Sequence, residues 1–148
     1  MEQSTKGIII RHKPCLYPLR GKWYLTIGEL IVDWGCDEVD VIPSFEITDG
    51  ASIPLWLRWL LPWHTILLAA LWHDYKRGHS SKDTFAIDAD FKALCEYELI
   101  QNGYRPLVAR ALALSAFYGV RVGYYTSFTN NPPESVLKLA NEFTHNIT

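Results

Sequence analysis

Disulfide chemistry has little to work with in this chain. Its three cysteines, Cys15, Cys36 and Cys95, are spread over 148 residues with no C-x-x-C pair. That excludes a disulfide framework and the paired-thiolate zinc modules. Long basic runs are missing too: the formal charge is −2, and the short cluster Lys76, Arg77, His79, Lys82 has the length of a solvated helix end. No nucleic-acid partner is expected without a basic face. The opening MEQSTKG holds no apolar signal core, so synthesis in a reducing cytoplasm, with no secretion by the general route, is expected. An unbroken apolar run of membrane-spanning length is also lacking. Arg58, Pro62 and His64 interrupt "LWLRWLLPWHTILLAALW" (55–72), well short of the roughly 20 residues a span needs. The segment reads as a buried helix behind a Trp-rich turn.

What is present suits a single domain over residues 1–148. Apolar residues make up 49% of the chain, enough for a core that folds unaided. Six Trp and eight Tyr are a large aromatic supply, suited to cores and to partner surfaces alike. No repeat or linker divides the chain. Residues 1–53 read as β: "GIII" (7–10), "KWYLTI" (22–27), "ELIVDW" (29–34), "EVDVI" (38–42) and "FEIT" (45–48) are short, β-branched or aromatic, and punctuated by Gly, Pro and Asp. "GCDE" predicts a hairpin turn within a small antiparallel meander. Residues 54–148 read as helical. Pro62 and Gly78 bracket a helix over 62–77, and Ser80 with Asp83 resembles a capping box opening a second helix that stops at Gly103. Pro106 opens a third, and "ESVLKLANEF" forms a short amphipathic tail helix. The expected class is α+β: a β meander, then a three-helix, bundle-like half and a short C-terminal helix.

The stretch "LAALWHDYKRGHSS" (68–81) holds the chemistry. At 100° per residue His73 shares a face with Ile66, Ala69 and Ala70, and Asp74 lies a step around beside Leu67. On the next helix Asp88 flanks the Ile87–Phe91–Leu94 stripe, whereas Asp90 falls on the opposite edge, nearer solvent. Glu98 projects near the stripe but close enough to the helix end to reach water. A buried carboxylate costs several kcal/mol unless paired, so His73 facing Asp88 is the economical arrangement. It would fix the imidazole tautomer and leave the other ring nitrogen for a water or a metal. The plainer possibility is a core histidine held by an aspartate, with Asp74 capping or reaching solvent.

Upstream, "TDGASIP" (48–54) opens on the strong turn signal Asp49-Gly50. Asp49 and nearby carbonyls suit an oxygen-rich cation site beside the His73 helix; an Asx-type turn joining sheet to helices needs the same residues. Ser52 caps the next segment or, as a nucleophile near His73, lacks the glycine-flanked elbow of hydrolases. Arg110 fits a solvated or ion-paired stripe on the third helix. Arg121, amid apolar "YGVRVGYY", is expected to pair with Asp88, Asp90 or Asp49.

Taken in order, "FEITDGASIPLWL", "LAALWHDYKRG", "AIDADF" and "FYGVRVG" resemble a small family of phage and prophage proteins of uncharacterised function. That family carries T-D-x-x-S-x-P, H-D, D-x-x-F and V-R-x-G elements. The resemblance covers about residues 45 to 123 and matches Thr48, Asp49, Ser52, Pro54, His73, Asp74, Asp88, Phe91, Arg121 and Gly123. The H-D and D-x-x-F pair is also similar to the calcium-dependent His-Asp phospholipases. There the histidine activates water, its neighbouring aspartate binds calcium, and an aspartate on the facing helix orients the histidine. The similarity implies those roles for His73, Asp74 and Asp88. Arg77 stands where that family has a tyrosine, and its paired cysteines and glycine-rich calcium loop are absent from this sequence, with "TDGAS" the only substitute.

Three readings of function follow. One is a phage-associated hydrolase of an ester or amide: His73 as base, Asp88 orienting it, Asp74 and Asp49 holding a divalent cation (calcium or zinc). Trp56, Trp59 and Trp63 would then form a lip that docks on a lipid or cell-envelope surface. Another is a non-catalytic component of a phage tail or baseplate, made in the host cytoplasm and assembled into the virion. Its His-Asp network would serve packing, and its aromatic lip would meet other phage proteins. The metal-dependent phosphohydrolases with an H…HD…D signature would use His64, His73, Asp74 and Asp88, but they are all-helical and space their histidines farther apart.

Overall fold

The structure, a computed structural model, describes residues 7–49, 59–62, 64–125 and 132–148. Six strands precede four helices among them: β1 Ile9–His12, β2 Cys15–Pro18, β3 Tyr24–Ile27, β4 Leu30–Gly35, β5 Glu38–Ile42, β6 Ile47–Thr48, α1 Leu67–His79, α2 Thr84–Gln101, α3 Pro106–Tyr125 and α4 Glu134–Ile147. The α+β order is as expected. The strands, however, divide between two three-stranded antiparallel sheets, β1-β4-β5 and β2-β3-β6. The strand missed by sequence, "CLYP", pairs Cys15 with Ile27 and Pro18 with Tyr24; its proline lies at the last position of an edge strand, where it interrupts little of the ladder.

The β4–β5 hairpin forms where "GCDE" places it. Cys36 and Asp37 both have positive φ (54° and 62°), the two left-handed residues of a tight turn that matches strand twist. Pairing of Leu30 with Ile42 and of Val32 with Asp40 puts a row of side chains on the inner face. Leu30, Val32 and Ile42 are buried there against Ile66, Ala69 and Trp72 of the α1 region and Ile87, Phe91 and Leu94 of α2. Small residues close the helix layer: Ala109, Ala113 and Ala116 recur every three or four positions on the buried face of α3. Tyr17 of β2 stacks on Phe143 of α4 at 4.1 Å, joining the tail helix to the second sheet.

Three boundary expectations are corrected. Pro62 does not open α1; its carbonyl accepts Thr65 N–H in a preceding turn (2.8 Å), and the helix begins at Leu67. Gly78 does not stop the helix, which continues to His79 and ends because Ser80 turns extended while its N–H still bonds the Lys76 carbonyl (2.9 Å). The capping box is absent as well. Asp83 is the N-cap of α2 without a side-chain cap bond, and Ser80 Oγ accepts Lys82 N–H instead. Gly103 behaves as expected, following α2 with φ 90° in the left-handed conformation of a helix stop. The tail helix runs four residues beyond its expected end, to Ile147. No helix among the described residues is long and apolar enough to cross a membrane.

Candidate functional site

α1 and α2 run side by side, and their facing residues build a buried ion network. His73 lies on the penultimate turn of α1, among buried Ala69, Ala70 and Trp72. Its Nε2 donates to Asp88 Oδ1 of α2 at 2.6 Å. The ring also lies 4.6 Å from the ring of Phe91, three residues after Asp88 on the same helix face. Asp88 has no solvent exposure, and His73 only 7%. Two arginines complete the carboxylate's surroundings: Arg121 of α3 donates from Nη1 to Oδ2 at 3.1 Å, and Arg77, one turn after His73, approaches from Nη2 at 3.4 Å. Of the three expected partners for Arg121, the contact seen is with Asp88.

The second ring nitrogen faces elsewhere. His73 Nδ1 is 3.8 Å from Asp74 Oδ1, beyond direct hydrogen-bond length, and the Asp74 side chain is 39% open to solvent. The imidazole is therefore anchored on its buried side and turned toward a partly exposed carboxylate on the other.

Electrostatics follow from this asymmetry. Burial lowers the His73 pKa, but the nearby carboxylates of Asp74 and Asp88, the latter hydrogen-bonded to the ring, outweigh it and hold the imidazole above its ordinary value. Burial raises Asp88, and here too the partners prevail: His73, Arg121 and Arg77 keep its carboxyl below the usual range. Asp74 goes the other way. Despite its open edge, the protein around it desolvates the carboxyl and pushes it up; His73 opposes the shift, and the charge of Asp49 adds to it.

Asp49 is buried at the end of β6, with Lys22 Nζ 3.4 Å from its Oδ2. Its charge is felt at Asp74, whose carboxyl it helps to push up. Gly50, Ser52, Pro54, Trp56 and Trp63 lie outside the described residues; of the expected aromatic lip, Trp59 is described and is 95% exposed, next to exposed Leu60. His64 lies in the turn before α1, exposed and outside the helix. No group of three or more His, Cys, Asp or Glu side chains is arranged to hold a metal among the described residues.

Two acids behave differently from expectation. Asp90 is buried, not solvent-facing, because Lys82 folds over it at 2.7 Å. Glu98 does not reach water either: its Oε2 accepts the Ala69 N–H at 2.8 Å, satisfying a donor in the first turn of α1, whose N-cap Ile66 offers no side-chain bond. Burial raises the Glu98 pKa to about 8, against the opposing pull of the Ala69 and Leu68 amides and the Lys13 charge. Asp40, missed in the sequence, is a further hub. Its Oδ2 accepts the indole N–H of both Trp34 (2.8 Å) and Trp72 (2.9 Å), and its Oδ1 accepts Lys76 Nζ (2.6 Å). The signal was available: Asp40 alternates onto the same strand face as Ile42, an inward position where an acid needs donors.

No family model matches the chain, and no curated protein or solved structure matches it either.

Proposed function

We propose that this chain is a phage- or prophage-associated hydrolase in which His73 activates water for attack on an ester or amide. One observation carries the reading: His73 Nε2 is bound to Asp88 at 2.6 Å while Nδ1 faces the partly open Asp74 at 3.8 Å. A base oriented by a buried carboxylate on one nitrogen and presented to water on the other is what general-base hydrolysis requires. The similarity of the H-D and D-x-x-F helix pair to the His-Asp phospholipases supports the same roles, and the ordered motifs over residues 45 to 123 support the phage association.

In this mechanism Asp88 keeps Nε2 protonated, so the lone pair lies on Nδ1. A water hydrogen-bonded to Nδ1 at the exposed edge of Asp74 gives its proton to Nδ1 as its oxygen bonds to the acyl carbon. The imidazolium, stabilised by Asp88, then returns that proton to the leaving oxygen or nitrogen as the acyl bond breaks. Arg121 and Arg77 hold Asp88 ionised through the cycle. Asp74 and Asp49 are the residues that would hold a divalent cation. Their hard carboxylate oxygens and mutual repulsion suit calcium better than zinc. Such an ion polarises the acyl oxygen when bound. Trp59 and Leu60 provide an exposed apolar edge for a lipid or cell-envelope surface.

A non-catalytic role in a phage tail or baseplate is favoured by a different observation, the depth of the pair: the His73 side chain is 9% exposed and that of Asp88 0%. The two readings separate in a hydrolysis screen over acyl esters, acyl amides and phospholipid vesicles, with and without Ca2+, against His73→Ala and Asp88→Asn. Turnover by the native chain is expected to fall by about 10²–10⁴-fold in His73→Ala while circular dichroism stays native. No turnover on any substrate in the screen supports the non-catalytic role instead, and turnover that survives His73→Ala overturns His73 as the base.

A further inference from the structure

The first turn of α2 carries a phenylalanine that the core does not use. The core takes Ile87, Phe91 and Leu94 from this helix, whereas Phe85 is 56% exposed. Its ring is engaged all the same. The Arg121 guanidinium of α3 lies over it with Cζ 5.4 Å from the centroid, inside the roughly 6 Å reach of a cation–π attraction. Phe117, one turn before Arg121, meets Phe85 at 5.8 Å with the rings at 90°, an edge-to-face contact that sets the plane of the Phe85 ring. Lys92 Nζ lies 5.8 Å from the Phe117 centroid, so a cation stands at each end of the ring pair.

Helical spacing produces this arrangement. Phe85 and Asp88 are three residues apart on α2, and Phe117 and Arg121 four apart on α3, so each pair shares one helix face. Where the faces meet, Arg121 touches both the ring of Phe85 and Asp88, to whose Oδ2 its Nη1 donates at 3.1 Å. We infer that Phe85 is a positioning residue: its ring keeps the Arg121 guanidinium on Asp88 Oδ2 and so leaves Oδ1 turned to His73 Nε2.

The ion pair by itself is a loose guide. The Arg121 side chain is 23% exposed, and a long, partly solvated side chain gives up rotamer freedom to hold a single geometry. A ring face against the guanidinium plane restricts that freedom before the carboxylate is engaged. Arg77, the second arginine at Asp88, stands farther off at 3.4 Å. When Arg121 swings away, Oδ2 loses its shorter arginine bond. The carboxylate can then turn about its Cβ–Cγ bond, and the 2.6 Å alignment of Oδ1 with Nε2 is disturbed. The consequence for turnover rests on the hydrolytic reading of His73; the positioning of Arg121 does not.

Side-chain hydrogen exchange, read by ¹⁵N NMR on the full-length chain labelled at arginine and histidine, tests this without a substrate. Phe85→Leu keeps apolar bulk and removes the ring face. Exchange at the Arg121 guanidinium is expected to quicken about two- to fivefold, the worth of one cation–π contact at an exposed site. The Nε2 proton of His73 should exchange faster with it. Backbone amides of α2 and α3 should keep their native rates, which separates positioning from a general loosening of the helices. Phe85→Trp, whose ring attracts a cation more strongly, should return both side-chain rates to native or below. Native Arg121 exchange in Phe85→Leu overturns the inference, as does faster Arg121 exchange with no response at His73. Faster amide exchange throughout α2 and α3, or no rescue by Phe85→Trp, overturns it as well. Because the readout needs no turnover, a hydrolysis screen that fails leaves this result standing on its own.

Discussion

Asp88 is shielded from solvent and faces His73, Arg77 and Arg121, so its charge is set by those three neighbours. Removing that charge leaves three donors in a buried space with a neutral acceptor. Asp88→Asn is expected to cost about 3–5 kcal/mol in chemical denaturation, the range for breaking one side of a buried ion network. The same variant should bring the His73 pKa down, because one of the two carboxylates that raise it is gone and burial then has more weight. Linkage gives the sign for the native chain. His73 has a folded pKa above its ordinary 6.5, so its pairing stabilises the fold fully below pH 6.5 and ceases to do so as pH rises through the folded value. Asp88 acts at the other end: its folded pKa lies below the ordinary 3.8, and its contribution, present above 3.8, is lost as acid drives pH through the depressed value. Replacing His73 with Ala should therefore flatten the loss of stability just above pH 6.5 as well as remove the base.

At the scale of elements, two carboxylates hold α1 in place from opposite sides. Glu98 of α2 satisfies the first turn of α1 at Ala69. Its folded pKa of about 8, against an ordinary 4.5, means the folded chain keeps a proton that the unfolded chain releases. Stability should decline as pH rises from 4.5 to about 8. Glu98→Gln keeps an acceptor oxygen without the ionisation, so denaturation across that range should show a flatter profile, with the variant more stable than the native chain by about 1–3 kcal/mol at pH 9. From the sheet side, Asp40 of β5 joins Trp34, Trp72 and Lys76. Asp40→Ala strands the buried Trp72 indole N–H and is expected to cost about 2–4 kcal/mol, read from denaturant midpoints. How much of this was legible in the sequence depends on the range of the interaction. Helical period placed His73 against Asp88 and Arg121 within reach of it, because burial of a charge leaves few solutions. The same reasoning sent Glu98 and Asp90 toward solvent. A trans-acting cap on α1 and a lysine folding over from the inter-helix turn are tertiary contacts that no local periodicity encodes. The split into two sheets was hidden similarly, since β1 skips two strands to pair with β4 and "CLYP" ends on a residue that discourages a strand assignment.

For the molecule as a whole, the network ties the first sheet, α1, α2 and α3 into one unit: Asp40 bridges sheet to α1, His73 bridges α1 to α2, and Arg121 brings in α3. Trp34 and Trp72 meet edge to face at 5.2 Å on the sheet–helix boundary, so their coupled near-UV dichroism reports that boundary while far-UV dichroism reports the helices. The two signals are expected to change in a single coincident transition on heating; separate midpoints would show that the sheet and helices melt independently. The proposed chemistry, however, rests on the state of one ring, and ¹⁵N NMR of selectively labelled histidine, titrated from pH 5 to 9, reads it without knowledge of the substrate. The expected result is a His73 that titrates above 6.5 and, once neutral, carries its proton on Nε2 toward Asp88 with Nδ1 bare and facing Asp74. A His73 that keeps its proton on Nδ1 when neutral, or that stays neutral down to pH 5, would contradict the account.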